Sequence, residues 1–312
     1  MMHLPRWLVV AFTGLAFRLA LNPRASVRMQ RWILALACRP ILAPRRTRIR
    51  HLTLGGRPAE RTTLGPHDER RAVLYLHGGA YVLGSARIYR SLAAHLARSS
   101  GAVVYNLDYR LAPEHPFPAA LDDAVAAFRE LVDAHGYRPD QIAIAGDSAG
   151  GGLTVAAARV LTDAGQRPAA LALLSPWTDP SDHDLPERDF VVNREWGSAS
   201  AAMYRGNAPE DAPGYAPLRG RLDGLPRILV HYCEDEILRA QILRFVELAR
   251  TAGVEVQAEG QPRLWHSGHL LAGMLREATL ATESVGRFIQ SVDATTDARA
   301  LRSSQGAGLS GR

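Results

Sequence analysis

The sequence predicts an α/β chain: a mostly parallel central sheet with helices on both faces. Short apolar runs alternate along the chain with longer amphipathic segments, the signature of repeated strand–helix units. The runs Ala72–Leu76, Ile142–Ala145 and Leu171–Leu174 are apolar without alternation, as strands buried on both faces must be. At 312 residues and 47% hydrophobic content, the chain can bury one large core.

Taken in order, Trp7 to Phe17 is an apolar run of eleven residues ended by Arg18, short of the roughly 20 needed to span a bilayer. A second helical segment, Ala25 to Cys38, places Val27, Ile33, Leu34 and Leu36 among arginines. Two readings compete for this pair: a basic amphipathic surface lying on anionic membrane, or a lid over a site. Strands Arg48–Leu54 and Ala59–Thr63 follow, joined by Gly55-Gly56, and the apolar strand Ala72–Leu76 runs into His77-Gly78-Gly79-Ala80-Tyr81. A helix is expected at Ala86–Ser99 and a strand at Ala102–Asn106. The helix Ala119–His135 carries Leu121, Val125, Phe128 and Val132 on one stripe at helical spacing. Strand Ile142–Ala145 turns at Gly146-Asp147-Ser148-Ala149-Gly150 into a helix through Leu161. Strand Leu171–Leu174 precedes an irregular Pro- and Asp-rich stretch from Ser175 to about Gly214. Strand Ile228–Tyr232, helix Glu236–Ala252, strand Val254–Ala258 and a helix near Leu270–Gln290 complete the body. The small, polar tail 291–312 is expected to be disordered. The organisation is therefore N-terminal helices over 1–45, an α/β domain over 46–290 and a tail.

Charge is unevenly placed. Residues 1–50 hold ten arginines and no Asp or Glu, and the remainder is slightly acidic. A nucleic-acid face would need basic residues spread with aromatics over a docking surface, so no nucleic-acid partner is expected. The chain has no lysine, which excludes Schiff-base chemistry, a P-loop lysine and a Ser-Lys pair. Cys38 and Cys233 are too few and too distant for a disulfide framework or zinc site, which points to a reducing, cytoplasmic compartment. The first small-x-small site, Ala35-Leu36-Ala37, lies beyond Arg18, Arg24, Arg28 and Arg31, so a cleaved signal peptide is not expected.

The chemistry is expected at Ser148. A Gly-x-Ser-x-Gly turn between a buried strand and a helix strains the serine backbone and lifts its Oγ clear of the sheet. Taken alone, the motif also fits a turn with a serine N-cap. An acyl-transfer serine needs a base, an acid behind it and donors for an oxyanion. The acid falls in Cys233-Glu234-Asp235-Glu236, just past one late strand, and the base in Trp265-His266-Ser267-Gly268-His269, just past the next. The order Ser, acid, His in loops at the carboxyl edge of a parallel sheet is that of the α/β-hydrolase fold. Backbone amides of Gly78, Gly79 and Ala149 are the expected oxyanion donors. His266 and His269 stand three apart with no third ligand at metal spacing, so no metal is expected.

Four blocks carry a family resemblance: Leu76-His77-Gly78-Gly79-Ala80-Tyr81, Tyr109-Arg110-Leu111-Ala112-Pro113-Glu114-His115-Pro116, Gly146-Asp147-Ser148-Ala149-Gly150-Gly151 and Ser175-Pro176-Trp177-Thr178-Asp179. Together they resemble the hormone-sensitive lipase family of carboxylesterases, over about residues 72–290, and in motif form are similar to its monoterpene ε-lactone hydrolases. The resemblance implies ester or lactone hydrolysis without metal or cofactor, and a cap made of the N-terminal helices plus an insertion before the acid strand. It favours the lid reading. It also implies Asp235 as the acid, from an acid-x-x-Leu pattern ending at Leu238, and His266 as the base by register, with His269 in the following helix. Glu114, His115, Asp122 and Asp147 take structural roles. Leu238-Arg239-Ala240 departs from the family by lacking a further acidic residue, and the insertion 180–215 looks short, which points to short-chain esters or small lactones. The competing readings are a ligand-binding member of the fold that does not turn over and a peripheral membrane protein. No motif sets the oligomeric state, and a homodimer stays open.

Overall fold

The computed structural model describes residues 3–307, with side chains as far as Ser291. One eight-stranded sheet organises the chain: β1 (Arg48–Leu54), β2 (Arg57–Thr63), β3 (Asp68–Leu76), β4 (Ala102–Leu107), β5 (Ile142–Asp147), β6 (Leu171–Leu174), β7 (Ile228–Tyr232) and β8 (Val256–Gly260). Their spatial order is β1-β2-β4-β3-β5-β6-β7-β8. The first two strands run antiparallel to their neighbours, and all pairs from β4 to β8 are parallel.

The helices are α1 (Arg6–Ala20), α2 (Val27–Ala37), α3 (Arg90–Ser100), α4 (Ala119–Asp133), α5 (Ala149–Asp163), α6 (Arg194–Arg205), α7 (Arg239–Thr251) and α8 (Arg276–Ala307). Between β3 and β4 the chain moves one way along the sheet, and from β4 to β5 it moves back across β3. Right-handed crossovers therefore put α3 and α4 on opposite faces. In keeping with this, α3 packs on α8, whereas α4 packs on α5 over β5 and β6. Strands β4, β5 and β6 are buried along their whole length, as the unbroken apolar runs require. The parallel register sets Leu76 beside Gly146, so the loop after β3 lies against the turn after β5.

Several boundaries depart from expectation. A helix, α6, stands in the stretch expected to be irregular. Its Gly and Ser content hides it from propensity, but Asn193 caps it by accepting a bond from the Trp196 amide, and it buries Trp196 and Tyr204. Helix α7 begins at Arg239 rather than Glu236, which leaves Glu236 in the loop. Leu270 lies in a short tight turn, Gly268–Leu271, and α8 starts only at Arg276. That helix continues to Ala307, past Ser291 where a disordered tail was expected; Ala294, Ala298 and Ala300 favour helix. Residues 308–312 lie outside the described residues.

The N-terminal helices sit over the carboxyl edge of the sheet. Ser26 caps α2, which buries Gln30 and Leu34, while α1 buries Val9, Thr13 and Ala20. Arg31 ties α2 down. Its guanidinium donates to the Val82 and Ala112 carbonyls at 2.8 Å and forks onto Glu114 at 2.7 and 2.8 Å. No helix among the described residues is long and apolar enough to cross a membrane.

Candidate active site

Ser148 stands at the end of β5 with φ 50° and ψ −120°, a conformation an L-residue rarely adopts. Such strain costs roughly 1–3 kcal/mol and persists only where surroundings impose it. Here the Ser148 amide donates to the Leu174 carbonyl at 2.9 Å, and its own carbonyl accepts from the amides of Gly151, Gly152 and Trp177. A Cβ on Gly150 would lie 2.0 Å from the Leu76 carbonyl oxygen, so only glycine lets α5 leave the turn this close to β3.

His266 lies beyond β8, buried beside the serine. Its Nε2 is 2.9 Å from Ser148 Oγ and its Nδ1 is 2.8 Å from Glu236 Oε2. A carboxylate only accepts, so Nδ1 carries the proton and Nε2 is left to accept from the hydroxyl. Glu236 is itself oriented by the Cys233 amide, which donates to Oε1 at 2.8 Å. The acid is therefore not where it was expected. Asp235 lies exposed at the tip of the turn, and the carboxylate on the imidazole belongs to the next residue. The tight turn at Glu234-Asp235 points both side chains at solvent, and the chain re-enters the protein at Glu236-Ile237-Leu238, all three buried. Burial opposes a charge on His266, but the Glu236 hydrogen bond and charge, with Asp189 and Asp147 nearby, outweigh it and raise the imidazole pKa.

Asp189, unnoticed in the sequence, links this loop to the second cap segment. Its carboxylate accepts from the Val191 and Val192 amides and, at 2.9 Å, from Ile237 N. His269 does not approach Ser148. It is a core residue whose Nε2 lies 3.0 Å from His231 Nδ1, and burial, then the neighbouring imidazole, push its pKa well below the ordinary value.

The loop after β3 needs one correction too. The Gly78 amide, expected to face an oxyanion, donates to Asp147 Oδ1 at 2.8 Å. The same carboxylate accepts from Tyr75 and Tyr89 hydroxyls at 2.9 Å. Asp147 thus braces the loop from beneath, the structural role expected of it, and burial raises its pKa. His77 stacks on Tyr109 with ring centres 4.3 Å apart, and Tyr109 Oη donates to the His77 carbonyl. Beyond the brace, Gly79 and Ala80 turn through φ 118° and 51°. Their amides find no acceptor among the described residues, and the Ala149 amide, first of α5, has no intrahelical one.

Two clefts meet at Ser148, His266 and Ala80. The larger, about 50 Å³, is walled by Phe17 of α1, Leu21 just past its end, Leu34 of α2, Ile88 and Leu270. The other, about 30 Å³, is walled by Trp177, Leu185, Ile237 and Leu238. Trp196 borders both. Its indole N–H donates to Gln30 Oε1 at 2.8 Å, and the Gln30 amide in turn donates to the Asn22 and Ala25 carbonyls. No group of three or more His, Cys, Asp or Glu able to hold a metal ion occurs among the described residues.

Residues 73–270 match the family described as the alpha/beta hydrolase fold. An acetyl-hydrolase of Streptomyces hygroscopicus is 38% identical over 229 residues, covering 72% of this chain and 76% of its own. Esterase LipU of Mycobacterium tuberculosis is 35% identical over 234 residues, covering 71% and 78%. A crystal structure of an esterase from the bacterial hormone-sensitive lipase family superposes with a TM-score of 0.86 at 36% identity, covering 93% of this chain and 99% of that one.

Proposed function

The chain belongs to the hormone-sensitive lipase family of α/β-hydrolase carboxylesterases, and from that premise we propose that it hydrolyses short-chain carboxylic esters through Ser148, His266 and Glu236. The observation that carries the reading is the continuous hydrogen-bonded line from Ser148 Oγ through both imidazole nitrogens to Glu236. His266 Nε2 takes the hydroxyl proton as Oγ attacks the ester carbonyl, and Glu236 stabilises the imidazolium that forms. Negative charge gathers on the carbonyl oxygen, for which the amides of Gly79, Ala80 and Ala149, without acceptors among the described residues, are the available donors. His266 returns the proton to the departing alcohol. A water, deprotonated by the same nitrogen, then attacks the acyl-serine, and the carboxylic acid leaves with Ser148 restored.

The two clefts suit the two halves of a small ester, one for the acyl group and one for the alcohol. The α1 and α2 side chains close the larger cleft, which supports short acyl chains over long ones. Acetyl and butyryl esters of p-nitrophenol are the first substrates to assay, with small lactones next because of the motif form. Cys38 and Cys233 are buried and unpaired, which fits a reducing, cytoplasmic setting. The test is a p-nitrophenyl acetate burst of one equivalent per chain, abolished by an organophosphate that labels Ser148. Binding of the ester with neither burst nor label would leave a ligand-binding protein instead.

A further inference from the structure

Large apolar side chains exposed to solvent are concentrated at one end of the chain. Trp7 is 72% exposed, Leu15 63%, Trp32 62% and Leu42 76%, with Leu19 and Leu36 beside them. Outside residues 1–42, the exposed large apolar side chains among the described residues are Val160, Phe190, Leu248 and Leu280, of which Phe190 lies beside Gly14 of α1. On α1 the positions recur at helical spacing opposite the buried Val9, Thr13 and Ala20, and on α2 opposite Gln30 and Leu34. Both helices therefore turn an apolar outer face away from the protein.

The charge around that face has one sign. Residues 1–50 carry ten arginines and no carboxylate side chain. Arg6 and Arg31 reach Glu277 and Glu114, but the exposed Arg18, Arg24, Arg28 and Arg39 have no carboxylate within 4.0 Å among the described residues. A second copy of the chain would bring arginines against arginines. What complements apolar side chains flanked by unpaired arginines is a surface that is negative at its face and apolar beneath. Tryptophan favours that boundary, and helices of this kind lie in it rather than across it.

We propose that the outer face of α1 and α2 docks on an anionic lipid membrane. Neither helix is long and apolar enough to cross one, so the protein rests on the surface. Phe17 and Leu34 on the inner side of the same helices, with Leu21 just past the end of α1, wall the larger cleft, so the docked face lies directly above the site. The proposal does not depend on hydrolysis, because docking is read with the Ser148→Ala protein as well.

The test is sedimentation of the full chain with phosphatidylcholine vesicles, with and without phosphatidylglycerol, at low and physiological salt. Binding is expected only with phosphatidylglycerol and weaker at the higher salt. Arg18→Glu with Arg28→Glu should lower the partition coefficient roughly twentyfold or more, each arginine near such a surface being worth about fivefold. Trp7→Ser with Trp32→Ser should weaken binding at both salt concentrations. Thermal unfolding at the wild-type temperature establishes that each variant is folded. Equal binding to neutral vesicles, or to neither kind, would overturn the proposal. A dimer in gel filtration that Trp7→Ser with Trp32→Ser dissolves would assign the face to a second copy.

Discussion

The turn that carries Ser148 and the turn that carries Glu236 follow strands two positions apart in the sheet, yet their sequences constrain them very differently. At the first, backbone geometry admits few residues: the serine is strained, Gly150 has the Leu76 carbonyl against it, and β5 and the first ten residues of α5, Ala149 to Ala158, are buried. At the second, three carboxylates follow one another, and only the path of the chain chooses which turns inward. Where covalent geometry is limiting, a motif names its residue. Where burial is limiting, it names only a neighbourhood.

Substitutions at both turns test that contrast. Ser148→Ala should lower kcat by at least about 10⁴-fold with the fold intact; an unchanged kcat would remove the serine from the mechanism. Glu236→Gln should lose roughly 10³–10⁴-fold, whereas Asp235→Asn stays within about twofold of wild type, as surface changes away from the reacting atoms do. The reverse pattern would restore Asp235. The pH profile sharpens the same pair. His266 acts only when neutral and its pKa is raised, so kcat/KM should fall on acidification with a midpoint above the ordinary imidazole value. Residual activity of Glu236→Gln should show that midpoint moved to lower pH, since the raising charge is gone and burial then dominates.

Smaller effects come from the cap. Trp196→Ala should cost about 3 kcal/mol of stability and, by joining the two clefts, bring rates on acetyl and hexanoyl esters closer together. Unchanged selectivity would show that Trp196 does not partition them. Arg31→Ala should cost about 1 kcal/mol or less, since its Glu114 partner is half exposed, and calorimetry would detect it as a slight drop in Tm.

The mostly parallel sheet and the meeting of Ser148 with His266 could be read from the chain because they rest on apolar periodicity and on which loops open at one edge. Glu236 could not, although Ile237 and Leu238 after it marked where the chain turns inward. Gly78 was read as an oxyanion donor because a pair of glycines signals freedom without direction. The Asp147 side chain that takes its amide comes from a strand two positions later in sequence order and is invisible locally. Helix α6 escaped for a related reason. Its stability comes from Trp196 and Tyr204 packing on distant segments rather than from its Gly- and Ser-rich composition.

The hydrogen bond from Trp196 to Gln30 joins residues 166 apart in the chain, and Asn193 Nδ2 donates to the Leu21 carbonyl beside it. The two pieces of the roof over the site are therefore not separable modules. In a chimera, replacing α1 and α2 with those of a relative that lacks a side-chain acceptor at the position of Gln30 would strand a buried indole N–H without a partner. Exchange of substrate preference by recombination should succeed only when the segment around residues 189–205 travels with the N-terminus, so that a crossover placed between them yields a protein less stable than either parent.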